Sequence, residues 1–413
     1  MRLHFMAGVC ALAFAVPGNP AFAADSVEVV HHLTVNTERA AIKEIADRFT
    51  AAGCVWVDNA VAGPPNSRRV YTTRMNAGQP PQAYLTVTNL DHYDFAAQGQ
   101  LVNLDSVAQA ENWAKVFPPE IMETIKAPDG HIYVAPLGLN VPGYVFYNKK
   151  IFDDLGIKEP VGFDDDFFAA LDKVKAAGII PLAYSGDPFH VRFPFEAIMM
   201  SLGGKDLWDN VWRQRSNAAI RSPEMRKVFE TFERLRDYTD EGSSGRAWNL
   251  SANLVMSGKA AVQIMGDWAK GEYIAAGMVP GKTLGCFIPG TDDLIQIHGE
   301  VLVFPKQPGT TALTPAQAKL AAIATSADAQ TAYNAQKRSF PSRLDANVAA
   351  MDPCLQLNID AYRNPGHIVQ NPRSLITQQM DGEYRDLVNE FMAEPEMTVD
   401  EVVDRFAEVL QAK

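Results

Sequence analysis

Val27-Glu28-Val29-Val30-His31-His32-Leu33 is the run on which the fold turns. It is rich in β-branched residues and reads as a buried strand. A helix follows, with Thr37 as its cap. Ile42, Ile45, Ala46 and Phe49 fall at i, i+3, i+4 and i+7, and Gly53 stops it. Residues 55–61 read as a second strand. Gly63-Pro64-Pro65-Asn66-Ser67 reads as loop and cap, 68–77 as a helix ended by Gly78, and 84–87 as a third strand. This strand–helix–strand–helix–strand order predicts a parallel sheet covered by helices, an α/β fold.

Working outward, 413 residues exceed what one hydrophobic core serves, so two domains are expected. Residues 132–147 hold two apolar extended runs around Pro136, Gly138, Pro142 and Gly143, with no helix between them. They read as a crossing from one lobe to the other. A second α/β set follows, with helices over 164–177, 193–202, 223–238 and 249–257. Strands are read at 179–184, 260–265, 284–287 and 295–304. From Pro315 the chain reads as mostly helical, and Val402, Phe406, Val409 and Leu410 share one face of the last helix. With no internal repeat and no low-complexity linker, the lobes read as a hinged pair rather than tethered beads.

The composition is 47% apolar and 21% charged, close to a globular average, and the net charge is −12. That acidity argues against a phosphate-backbone partner, so no nucleic acid is expected, and it leaves neutral ligands open. Arg2, the apolar run 6–16, the breakers Pro17 to Pro20 and Ala21-Phe22-Ala23 compose a secretory leader, with cleavage expected after Ala23. The run is shorter than the roughly 20 residues of a membrane span. Cys10 sits inside that run. Of the other three cysteines, Cys54 opens an apolar strand-like run and reads as a buried thiol. Sequence allows three pairings; Cys286–Cys354 is favoured, since both lie next to turn-forming residues.

The search for chemistry mostly excludes. There is no GxGxxG after the first strand, no GxSxG and no HExxH. Ser257-Gly258-Lys259-Ala260 lacks both the earlier Gly and the Ser/Thr of a phosphate loop. Strand alternation turns His31 and His32 to opposite faces, and His298 with Glu300 lacks a third metal ligand. Asp164-Asp165-Asp166 reads as a helix N-terminus. No cofactor is expected. Gln263-Ile264-Met265-Gly266-Asp267-Trp268-Ala269-Lys270 stands apart, because it runs from a strand through Gly into a helix. Ligands of open α/β sheets bind beyond the carboxyl ends of strands. An indole there offers a flat apolar face, and the adjacent carboxylate accepts hydroxyl bonds, a pairing that suits a sugar.

On these residues the chain resembles the family 1 extracellular solute-binding proteins, the periplasmic receptors of ABC sugar importers. The resemblance rests on the leader and two-lobe layout, on Val145-Phe146-Tyr147-Asn148-Lys149-Lys150-Ile151-Phe152, and on Gly258-Lys259-Ala260-Ala261 leading to Met265-Gly266-Asp267-Trp268. Glu28-Val29-Val30-His31, Asp267-Trp268-Ala269-Lys270 and the positions of Cys286 and Cys354 are most similar to the glucose/mannose-type branch. The resemblance implies the two-lobe periplasmic-binding-protein fold (type II), each lobe a helix-flanked sheet, with the ligand cleft between lobes. The N-terminal lobe is expected over 24–137 plus 292–345, and the C-terminal lobe over 138–291 plus 346–413.

The same resemblance implies that Trp268 stacks on a sugar with Asp267 beside it, that Glu38 accepts its hydroxyls, and that Lys337 and His298 contact it. The departures carry information too. His32 and Leu33 stand where that branch has two tryptophans, Thr88 where it has a cleft lysine, and Asn140-Val141 where it has His-Arg. The cleft is therefore expected to lose aromatic surface and positive charge, which argues against assuming glucose. The expected protein is a periplasmic, monomeric, non-enzymatic receptor that delivers a mono- or oligosaccharide to an ABC transporter permease in the inner membrane. The alternatives are a ligand-sensing partner of a membrane receptor and a secreted carbohydrate-active enzyme.

Overall fold

The computed structural model describes residues 25–160, 162–290, 294–349 and 351–412. The expected leader, residues 1–23, lies outside the described residues. The opening run forms β1 (Ser26–His31), buried along its whole length. α1 (Asn36–Ala51) packs Ala41, Ile42, Ile45 and Phe49 inward. It begins one residue before the expected cap: Val35 takes the cap position, no side chain caps the helix, and Thr37 falls in its first turn. β2 (Val55–Ala60) follows, and then α2 (Pro64–Asn76), which starts inside the expected loop. Proline fixes φ near the helical value and lacks an N–H that the first turn leaves unbonded, so Pro64-Pro65 opens the helix.

β3 (Ala83–Val87) and β2 flank β1, both parallel to it. The parallel core expected from the sequence is thus present. β9 (Ile295–Val303) adds antiparallel to β3, β4 (Val134–Asn140) pairs antiparallel with β9, and β10 (Ile368–Gln370) runs parallel to it, giving a six-stranded sheet. The second sheet has the order β6 (Ile180–Leu182), β7 (Ala260–Met265), β5 (Tyr144–Asn148), β8 (Leu284–Phe287). Four short helices lie between residues 91 and 125, each too short to show a periodic pattern.

The chain crosses between sheets through Val141–Gly143. Gly143 has a φ of +92°, and a Cβ there meets Ala197 Cβ at 3.3 Å, so glycine suits both the backbone and the space. The second lobe buries Phe195, Phe229, Phe232, Tyr384, Phe391 and Phe406 in one cluster, each side chain contributing about 2 kcal/mol by area removed from water. The last helix, Val399–Gln411, packs Val402, Val403, Phe406, Ala407 and Leu410 into it, while Val409 is only half-buried. Residues after 346 serve both sheets: β10 joins the first, and the helices Gln378–Ala393 and Val399–Gln411 join the second core. Cys286 on β8 is bonded to Cys354 with a Cα–Cα distance of 5.8 Å, and Cys54 is a buried free thiol. No helix of the described residues is long and apolar enough to cross a membrane.

Candidate functional site

The carboxyl ends of β1, β3 and β4 and the start of α1 form one wall of a cleft. His31 turns inward, where its Nε2 lies 2.8 Å from Asp58 Oδ1. The next residue, His32, lines the cleft, as the alternation requires. Thr34, Val35 and Glu38 continue this wall, with Gly63-Pro64, Val87 and Asn140 beside them. His298 enters from β9, where it pairs in register with Asn140, and Lys337 enters from the last residue of the helix Ala327–Lys337. The facing wall is aromatic: Phe189, His190, Trp248 and Trp268. The cleft encloses about 780 Å³ of empty space, open solvent at its mouth included.

The polar wall is preorganised. Lys337 Nζ donates to Glu300 Oε2 at 2.5 Å and to Asn140 Oδ1 at 3.0 Å. Tyr333 donates its hydroxyl to the same Glu300 oxygen at 2.5 Å. The lysine charge is therefore largely balanced inside the protein. Burial holds the His32 imidazole down at about 4, with the Lys337 charge adding to it and Glu300 opposing. Burial also holds His298 well below the usual histidine range, helped by the charges of Arg373, Arg192 and Lys337. Both rings are neutral at pH 7, each offering one donor and one acceptor. Burial raises the Glu38 carboxyl to about 7, against the pull of Lys337.

Trp268 is held by its own turn. Its indole folds back over Gly266, where a Cβ would stand 1.9 Å from Cζ3; only glycine leaves room. Phe193 meets the indole edge-on at 5.5 Å. Trp248 opens the helix Trp248–Met256, and its carbonyl accepts from Gln263 Nε2, a buried side chain on β7, at 2.8 Å. Gln263 is itself fixed by Tyr273, whose hydroxyl donates to Oε1 at 2.6 Å. His190 Nδ1 lies 2.7 and 2.8 Å from the two Asp187 oxygens.

Of the residues singled out in the sequence, His32, Glu38, Asn140, His298, Lys337 and Trp268 meet at this cleft. Asp267 and Thr88 do not line it. Asp267 is fully buried beneath Trp268; its N–H donates to Val141 O at 3.0 Å, and its carboxyl oxygens have no hydrogen-bond partner among the described residues. Burial raises that carboxyl to about 7, although Lys270 and Lys337 pull the other way. Thr88 follows Val87, so it faces away from the cleft; its hydroxyl accepts from Ser374 Oγ at 3.2 Å. Leu33 is core. Phe189, His190 and Trp248 were missed. The first two follow the carboxyl end of β6, so the rule that singled out Trp268 also reaches them. Trp248 carries no motif; only the packing brings it here. These rings give the cleft more aromatic surface than the His32 and Leu33 positions led one to expect.

Two helix-flanked sheets facing each other across a cleft, one wall aromatic and one wall hydrogen-bonding, define a two-lobe solute-binding fold of the periplasmic type II kind. Residues 34–329 match the sequence profile described as Bacterial extracellular solute-binding protein, and the chain belongs to that family. A protein of Brucella suis biovar 1 named "Probable sugar-binding periplasmic protein" is 33% identical over 390 residues, spanning 89% of this chain and 91% of its own. A protein of the same name from Rhizobium meliloti is 32% identical over 399 residues, spanning 92% and 95%. Among solved structures, the bacterial solute receptor AcbH, described as having an exclusive preference for β-D-galactopyranose, aligns with a TM-score of 0.79 at 19% identity over 94% of this chain and 97% of its own. Maltose-bound MalE3 of T. maritima aligns at 0.76 with 17% identity over 94% and 99%. Both share the fold.

Proposed function

We propose that this protein is an exported receptor that closes its cleft on a mono- or oligosaccharide and presents it to the permease of an ABC importer. The carrying observation is the pairing of walls: Trp268, Trp248 and Phe189 face Asn140, Glu38, His32, His298 and Lys337. A sugar has an apolar C–H face and a rim of hydroxyls, and it needs both surfaces at once. The names of the relatives in Brucella and Rhizobium support the same reading. In this reading the leader is cleaved after Ala23 and the mature chain works as a periplasmic monomer. Its lobes divide near residues 141 and 292, and the chain after 346 contributes to both. Trp268 stacks on the sugar; Glu38, Asn140, His32, His298 and Lys337 bind its hydroxyls; Asp267 and Thr88 support the floor from below.

The test is titration of the mature protein with monosaccharides, disaccharides and longer oligosaccharides, following tryptophan emission and heat. A saturable change in both is the expected result. Silence across the whole panel refutes the reading. Release of product from labelled saccharides refutes the non-enzymatic part of it alone.

A further inference from the structure

The aromatic wall is not one platform but two. His190 stands between the indoles, its ring centroid 6.4 Å from Trp248 and 6.3 Å from Trp268. Among the described residues no ring contact joins Trp248 to Trp268 directly, so the indoles flank the imidazole instead of stacking on each other. All three line the same cleft. One strand fixes the Trp268 indole and the backbone of Trp248. β7 ends in the Gly266 turn that seats Trp268, and its Gln263 holds the Trp248 carbonyl at 2.8 Å. A second bond, from Ser251 Oγ to Tyr184 O at 2.9 Å, pins the helix that Trp248 opens. The separation of the two backbones that carry the platforms is thus set by buried groups.

His190 is fixed as well. Asp187 occupies its Nδ1 side, which leaves Nε2 without a hydrogen-bond partner among the described residues and makes it an acceptor in the neutral form. A polar ring edge between two flat apolar faces matches a ligand whose apolar faces are interrupted by an oxygen-bearing joint.

We infer that the cleft takes a saccharide of at least two rings, one stacked on Trp268 and the next on Trp248, with His190 at the glycosidic junction. The inference rests on the sugar-binding reading above and narrows it. It makes Trp248 a specificity-determining residue for chain length.

The experiment is calorimetric titration of the mature protein with glucose, mannose, galactose and xylose and with disaccharides built from each. Some disaccharide is expected to bind at least about tenfold more tightly than either of its component monosaccharides, the gain of one further stacked ring. Trp248→Ala is expected to collapse that ratio toward one, with Trp248→Phe restoring part of it. Trp268→Ala is expected to weaken monosaccharide and disaccharide together. If monosaccharides bind the unaltered protein as tightly as every disaccharide, the two-ring inference is overturned and the sugar-binding reading stands. If Trp248→Ala lowers both classes equally, the second platform is overturned in the same way. If no saccharide in the panel binds, the sugar-binding reading fails and this inference fails with it.

Discussion

Asp267 gives the sharpest quantitative prediction. It is fully buried, its carboxyl oxygens lack partners among the described residues, and burial lifts it from 3.8 to about 7. The unfolded chain releases this proton near the ordinary value, while the folded chain keeps it to about 7. Between those values the native state binds more protons than the unfolded one, so this group's contribution to stability falls as pH rises. The loss is complete above about 7. At about 1.4 kcal/mol per pH unit the full penalty is about 4 kcal/mol, and local relaxation brings the expected range to about 2–4 kcal/mol. Asp267→Asn removes the ionisation and keeps the shape. Equilibrium urea unfolding of wild type and variant at about pH 4.5, 6 and 8 reads the difference directly, because every other titration cancels. The variant is expected to gain little at the lowest pH and about 2–4 kcal/mol at the highest. A gap that does not grow with pH, or a variant no more stable than wild type at about pH 8, refutes the assignment of an orphaned charge.

Three further outcomes are expected. Gly266→Ala places a Cβ 1.9 Å from the Trp268 indole, so it displaces that ring; ligand affinity is expected to fall about tenfold or more by calorimetry, while the fold remains by circular dichroism. Replacing Cys286 and Cys354 together by Ser opens a loop spanning a sequence separation of 68, which lowers urea-measured stability by about 4 kcal/mol in the entropy model. Non-reducing peptide mapping of the wild type is expected to show the pair linked. Glu38 titrates near 7, and an ionised carboxylate is the stronger acceptor for hydroxyls, so sugar affinity is expected to rise about threefold or more as pH passes from about 6 to 8. Glu38→Gln is expected to flatten that slope.

The parallel core of the first sheet was legible because its signals are local: β-branched runs, helical spacing and glycine stops between residues 27 and 87. What escaped depended on distance. The short helices between residues 91 and 125 span one to two turns each, too few for a periodicity to register. β10 has three residues and pairs with β9 more than sixty positions earlier in the chain, so no local pattern marks it. In the site, the Gly266-Asp267-Trp268 turn announced itself because a strand, a glycine and a helix start coincide there. The same coincidence put Asp267 in the ligand set. It is instead buried where the turn meets the lobe crossing, its N–H bonded to Val141 O, a tertiary contact that no local pattern marks. Thr88 was placed in the cleft by position, and a one-residue alternation turned it away.

The origin of the two walls bears on how binding would drive closure. Asn140, His32, Val87 and Glu38 come from strand ends of the first sheet and the helix after β1. Phe189 and Trp268 come from the ends of β6 and β7 in the second sheet. A ligand touching one wall has equal affinity for open and closed forms and shifts nothing between them. A ligand bridging both adds its second set of contacts to the closed form alone. The crossing at Val141–Gly143 is tied to this arrangement from both sides. Asn140 is the residue before it and accepts from Lys337, and Val141 O accepts from the N–H of Asp267, next to Trp268. The backbone of the crossing is therefore bonded to the turn that seats Trp268. A rotation of the second lobe about the crossing would carry Trp268 with it and bring the aromatic wall to a ligand already held at the hydrogen-bonding wall. Asp267 takes part in this link through its backbone and not its carboxyl, so replacing the carboxyl by an amide leaves the N–H bond to the crossing in place.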